Sequence, residues 1–147
     1  TDAPQVPWDA QPARRLGLLA EFGFEPIDFL LVPLERQAAE KLHAYTRTYR
    51  GGPTTRVRDL VDLLLVRQHE NLNTTALVAS IVEVFARRAT HAVPASLPPP
   101  PGALAVAYRK QAERVGLSNS MAEAHGLLSE WLNPVLAEIQ SGRSEEP

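Results

Sequence analysis

The sequence is most informative first in what it lacks. None of its 147 residues is cysteine, which excludes a disulfide framework and any thiolate metal site. Aromatic residues make up only 6% and there is a single methionine, so any core must be built from aliphatic side chains. Net charge is −2; no global basic field marks the chain as a nucleic-acid binder. The longest apolar run falls well short of the roughly 20 residues that cross a bilayer. The start of the chain is acidic and proline-bearing, unlike a signal peptide, and a cytoplasmic location is expected. No two aspartates stand two positions apart anywhere in the chain.

What is present is helical pattern. After an irregular arm with Pro4, Pro7 and Pro12, a short helix is expected over 15–22, then a β-rich run, IDFLLVP, over 27–33. From Pro33 onward the period is that of helices. Leu34, Ala38, Leu42, Tyr45 and Tyr49 form the stripe of a first helix, ended by Gly51-Gly52-Pro53. A second helix, capped by Thr54 or Thr55, should run to about Glu70. A third, capped by Asn73 or Thr74, turns Leu77, Ile81, Val84 and Phe85 inward. The stretch PASLPPPPG over 94–102 cannot be helix and reads as a stiff connector. A fourth helix is expected over 103–115, with Leu104, Tyr108, Ala112 and Val115 inward and Gly116 as its stop. A fifth begins after Ser118 or Ser120 and carries Met121, Ala124, Leu128, Trp131, Leu132 and Val135, with Pro134 as a kink. The expected fold is mainly α: a five-helix bundle over 33–140, behind an arm and short strand over 1–32, with a polar tail over 141–147.

The chemistry concentrates in RVRDLVDLLLV, residues 56–66. Asp59 and Asp62 lie one turn apart on one helix face. Asp62 sits among leucines and valines, where an unpaired carboxylate costs several kcal/mol, roughly, before its pKa adjusts. Arg56 can reach Asp59 and Arg58 can reach Asp62 within the helix, although arginine before aspartate is the weaker order. Asp59 also suits the first turn, where the helix dipole favours an acid. Lys41 flanks the buried stripe of the first helix, so it could meet either acid across the interface. One reading is a structural salt-bridge cluster. The other is a site for anions or metal, in which Lys41, Arg47, Arg56 and Arg58 surround one loop and suit phosphate. His43, His69, His91 and His125 show no metal-ligand spacing. Gly51-Gly52 lacks the Lys and Ser/Thr of a phosphate loop. Arg87-Arg88 reads as a solvated helix end, and Trp131 and Tyr108 as core.

Two stretches carry a resemblance. PLERQAAEKLHAYTR over 33–47, approached by LLAEFGFEP over 18–26, and then RVRDLVDLLL over 56–65, resemble the lysine motif and the R-x-K-D-x-x-D motif of the AbiEii/AbiGii toxin family of nucleotidyltransferases. Arg58 stands where that family usually has lysine. WLNPVL over 131–136 resembles the family's helical tail, and the likeness extends from about residue 15 to about residue 140. It implies a polymerase-β-like nucleotidyltransferase domain followed by helices, in a toxin–antitoxin system. It implies catalytic roles for Lys41, which would contact nucleotide phosphate, and for Asp59. Arg56 and Arg58 would help bind the nucleotide, with Asp62 in support. It implies Mg²⁺ and a nucleoside triphosphate as cofactor and substrate, an antitoxin as partner, and tRNA or protein as acceptor. The family's Gly-Ser turn and its metal-holding S-x-D-x-D strand are absent. The chain therefore resembles the C-terminal part of such a toxin, with the nucleotidyltransferase domain missing, no metal bound and no catalysis expected alone. Two other readings are a helical module that binds an antitoxin or partner domain, and a split enzyme whose missing motifs come from another chain.

Overall fold

The computed structural model describes residues 11–12, 30–47, 56–69 and 72–145. The chain divides into two compact units, Thr1–Leu34 and Glu35–Pro147. In the first, β1 (Gln11–Pro12) pairs antiparallel with β2 (Leu30–Leu31), with Gln11 opposite Leu31 and Pro12 opposite Leu30. The expected strand over 27–33 is thus two described residues long. The short helix expected over 15–22 lies outside the described residues.

The second unit is helical. Its helices are α1 (Leu34–Thr46), α2 (Val57–Arg67), α3 (Thr74–Arg88), α4 (Ala105–Arg114) and α5 (Met121–Ser144), with a 3₁₀ turn, Gly102–Leu104, leading into α4. Among the described residues the mainly α, five-helix architecture expected from the sequence is the one observed. α2 packs against α4 and α5, and α5 also packs against α3 and α4. α2 is central: Val57, Asp59, Leu60, Val61, Leu63, Leu64 and Val66 are all buried. That all-round burial explains why its sequence is almost continuously apolar. α5 contributes Ala124, Leu128, Leu132, Val135, Leu136 and Ile139 at steps of three and four, one face of a long helix.

Helix ends follow local chemistry. The Asn73 side chain accepts from Ala76 N–H and caps α3. Ser120 Oγ accepts from Glu123 N–H and caps α5, while the Glu123 carboxylate accepts from Ser118 Oγ at 2.8 Å. α4 ends in a Schellman turn. Gly116 takes φ +71°, Leu117 N–H reaches Ala112 O at 2.9 Å, and Gly116 N–H reaches Glu113 O at 3.4 Å. α3 ends on Ala89 in the same left-handed region, φ 47°.

Several boundaries differ from expectation. α1 starts at Leu34, one residue after Pro33; Tyr49 lies outside the described residues. α2 starts at Val57, so its cap is Arg56 and not Thr54 or Thr55, and it stops at Arg67 before Glu70. Thr54 and Thr55 themselves lie outside the described residues. Val115 is 45% exposed because it is the C-cap residue of α4 and leaves the buried face. Leu104, Met121 and Trp131 are half-buried. α5 continues through Pro134 and past residue 140 to Ser144.

The connector over 94–102 is strapped down by its few free backbone groups. Asn133 Oδ1 accepts from Leu97 N–H at 2.8 Å, and Tyr45 donates its hydroxyl to Pro98 O at 2.8 Å. Just ahead of it, the Gln140 amide donates to Val93 O at 2.9 Å. Prolines lack the N–H that would otherwise need a partner, so Val93 and Leu97 anchor the segment by burial. No helix among the described residues is long and apolar enough to cross a membrane.

Candidate functional site

Lys41 sits on α1 beside buried Ala38, Leu42 and Tyr45. Its four-carbon stem carries the ammonium to the face of α2. There Nζ lies 2.7 Å from Asp62 Oδ2 and 3.5 Å from Asp59 Oδ1. The two acids differ sharply in environment. The Asp59 side chain is 1% exposed, while Asp62 is half-buried. Asp59 has a second cation: Arg56 Nε abuts its Oδ2 in an ion pair, and Arg56 Nη2 lies 3.5 Å from Oδ1. A carboxylate so fully removed from water needs this double neutralisation.

Of the two partners open to Asp62, Arg58 within the helix and Lys41 from α1, the structure has Lys41. Arg58 is exposed, makes no ion pair among the described residues, and Asp62 turns to Lys41. Lys41 reaches Asp62 from another helix, where backbone spacing imposes no order on the pair.

Lys41 and Asp59 line a solvent-open cavity of about 210 Å³, together with Arg56 and Arg47. Two of its charged side chains, Arg88 and Glu40, were not among the site residues expected from the sequence. Arg88, expected as a solvated helix end, clamps Glu40 with Nε at 3.2 Å and Nη2 at 2.8 Å. Glu40 in turn faces buried Arg36, which also holds Glu83 at 3.0 Å. Among the described residues the cavity wall therefore carries four cationic side chains, Lys41, Arg47, Arg56 and Arg88, against two carboxylates, Glu40 and Asp59. Such an excess of positive charge around a small open volume suits an anion.

His43 also lines this cavity. Its Nε2 shares a 2.9 Å hydrogen bond with Thr90 Oγ1, and the same hydroxyl meets His91 Nδ1 at 2.9 Å. His91 Nε2 in turn meets Thr46 Oγ1 at 2.8 Å. The two imidazole rings lie 4.7 Å apart, both against Phe85. Burial lowers the pKa of His43, and the neighbouring His91 and Arg88 lower it further. Burial and then Arg47 lower that of His91. Both rings are thus biased to the neutral form. Nothing in the sequence spacing joins residues 43 and 91; only the packing of α1 beside the end of α3 does.

The described residues at this cavity do not fit a divalent metal. Among the described residues no group of three or more His, Asp or Glu side chains could hold one. Asp59 and Asp62 already face cations, and Mg²⁺ needs hard oxygen ligands free to approach it.

A search of curated proteins returns no match. The family model described as nucleotidyl transferase AbiEii toxin, Type IV TA system, matches residues 5–129, which include Lys41, Arg56, Asp59, Asp62 and Arg88. With most of its length matched, and the lysine and the two acids of the recognised motifs gathered between α1 and α2, the chain belongs to the AbiEii nucleotidyl transferase toxin family of type IV toxin–antitoxin systems.

Proposed function

We propose that α1 and α2 form one wall of a nucleotide site in a nucleotidyltransferase toxin. Lys41 contacts a phosphate of the nucleotide, and Arg56 and Arg47 add positive charge at the same cavity. Asp59 holds Lys41 and Arg56 in place from beneath. Asp62 keeps the ammonium paired until a phosphate competes for it. The observation that supports this reading is the open cavity in which, among the described residues, four cationic side chains outnumber two carboxylates, with Lys41 35% exposed. Nucleotidyl transfer depends mainly on positioning and on neutralising phosphate charge, and this wall supplies both.

No transfer step is assigned to this wall, whose described carboxylates already face cations. The chain by itself binds nucleotide without turning it over. Its membership of a toxin–antitoxin family implies an antitoxin as partner.

Calorimetric titration of the chain with GTP and with CTP, each with and without Mg²⁺, tests the proposal. Binding that does not need the metal, and that Lys41→Met weakens about tenfold or more, is the expected result. Absence of heat at millimolar nucleotide would defeat it.

A second reading has one observation in its favour. Lys41 already lies 2.7 Å from Asp62, as in a bundle whose charges serve only stability. In that case the helical unit is an interaction module, and Lys41→Met lowers stability while leaving nucleotide affinity unmeasurable in both forms.

A further inference from the structure

The hydrogen bonds around His43 have a direction. Thr46 Oγ1 lies 2.9 Å from Leu42 O and 3.3 Å from His43 O, carbonyls that can only accept. The hydroxyl has a single proton, and giving it to them leaves Oγ1 to accept from His91 Nε2 at 2.8 Å. In neutral His91 the other nitrogen is then the acceptor, so Thr90 donates its hydroxyl to Nδ1 at 2.9 Å. Thr90 Oγ1 accepts in turn from His43 Nε2 at 2.9 Å. The opposite direction would leave Thr46 Oγ1 against carbonyl oxygens with no proton between them. The chain therefore fixes the proton of neutral His43 on Nε2 and leaves its lone pair on Nδ1.

His43 is buried, and what it exposes lines the cavity beside Lys41. Among the described residues Nδ1 has no hydrogen-bond partner, yet it is not among the buried atoms left without one. Its lone pair therefore opens on the cavity. We propose that His43 is an anion-binding residue that works by taking up a proton: when a phosphate or polyphosphate group enters, Nδ1 becomes an N–H donor to one of its oxygens. The proton comes from solvent or from a P–O–H of the ligand, and no other bond changes. Thr90, His91 and Thr46 are positioning residues, which hold the tautomer and aim Nδ1. This inference rests on the phosphate-binding reading of the cavity and adds to it a residue that the family motifs did not supply.

The charged groups around His43 set the sign. From its own helix come Glu40, Lys41 and Arg47, from α2 and its cap Asp59 and Arg56, and from the end of α3 Arg88, with His91 just beyond. Burial, then His91 and Arg88, hold the imidazole below its usual range, and Glu40 opposes them. Glu40 is already clamped by Arg88 at 2.8 Å. A phosphate seated among these cations offsets their repulsion and favours the imidazolium. A neutral His43 would turn its lone pair toward the anion and repel it. Binding therefore raises the pKa of His43. By linkage, affinity climbs as pH falls through the anion-bound value and levels off below the anion-free one.

NMR of the full chain with ¹⁵N-labelled histidine, titrated with pH in the presence and absence of inorganic pyrophosphate, tests the inference. The Ala44 amide, at the same cavity, reports occupancy independently of His43. The expected result is an Nε2–H tautomer of neutral His43, and a midpoint that pyrophosphate raises by about one unit or more. His43→Gln keeps a donor toward Thr90 but has nothing in place of Nδ1. It should weaken pyrophosphate binding about tenfold near pH 6 and much less near pH 8; the probe's own titration is common to both proteins and cancels in their ratio. Thr90→Val, at an exposed position, should turn the single tautomer of His43 into a mixture, which a merely structural threonine would not do. A shifted Ala44 amide with an unmoved His43 midpoint overturns the inference and leaves the phosphate site standing. An Nδ1–H tautomer in the unaltered chain overturns it as well. No response of Ala44 at any pH removes the phosphate site and this inference together. Should His43→Gln fail to fold, the titration of the unaltered chain decides alone.

Discussion

Lys41 lies closer to the acid that water reaches than to the acid that water does not: 2.7 Å from Asp62 and 3.5 Å from Asp59. The buried carboxylate is left to Arg56 as much as to the lysine. Asp59 therefore serves as a fixed negative base for two cations, and Asp62 as the more readily exchanged partner.

This division predicts unequal effects of neutralising the acids. Asp59→Asn leaves two cations facing a buried amide and costs roughly 2 to 4 kcal/mol of stability, near the range for breaking a buried pair. Asp62→Asn costs about 1 kcal/mol or less, as for partly exposed ion pairs. Urea unfolding of the two variants measures the difference, and equal losses would contradict the assignment.

Tyr45 gives an alkaline limit. Burial pushes its pKa up to about 12 from the usual 10.0, and its hydroxyl donates to Pro98 O at 2.8 Å. A raised folded-state value means that the unfolded chain loses this proton first as pH rises. The associated stability is complete below pH 10 and is lost between about 10 and 12. Tyr45→Phe should flatten that loss and cost about 1 kcal/mol at neutral pH from the missing hydrogen bond. Thermal unfolding across the alkaline range checks both.

His43 and His91 give an acid limit of opposite sign. Both pKa values are lowered in the folded protein, chiefly by burial. The unfolded chain therefore takes up protons first as pH falls below the usual 6.5, and stability present above that value declines as pH drops through the lowered values. Proton NMR titration of the two imidazoles should find both below 6.5. His91→Gln should raise the pKa of His43 by removing the neighbour that opposes its protonation; an unchanged His43 titration would refute the coupling.

Two helix ends predict opposite responses to one methyl group. Gly116 has φ +71° with nothing within 4 Å of where a Cβ would stand, so Gly116→Ala carries only the backbone penalty, about 1 kcal/mol destabilising. Ala89 occupies the same region at φ 47°, and Ala89→Gly should stabilise the protein by roughly 0.5 to 1 kcal/mol. Melting temperatures that move in the same direction for both variants would count against this account.

The fold was legible wherever the signal was local. The stripe of Leu77, Ile81, Val84 and Phe85 is the buried face of α3, Asn73 is its cap, and Gly116 lies in the turn that ends α4. Each of these depends on residues within about four positions, the reach of a helical turn. The start of α2 was misplaced because Thr54 and Thr55 are good caps in any sequence, and only the packed helix shows that its first turn begins at Val57.

By itself the sequence determined the five helices, the family motifs and the proximity in register of Asp59 and Asp62, because period, turn chemistry and motif spacing are properties of neighbouring residues. Tertiary structure alone decided that Asp62 takes Lys41 instead of Arg58, that Arg88 joins the cavity beside Lys41 by clamping Glu40, and that His43 meets His91. The last two contacts join residues 48 apart in the chain. The physical reason is that long charged and polar side chains choose partners by where packed helices bring them, and that placement follows from burying Leu42, Leu63, Leu128 and Leu132 in one core.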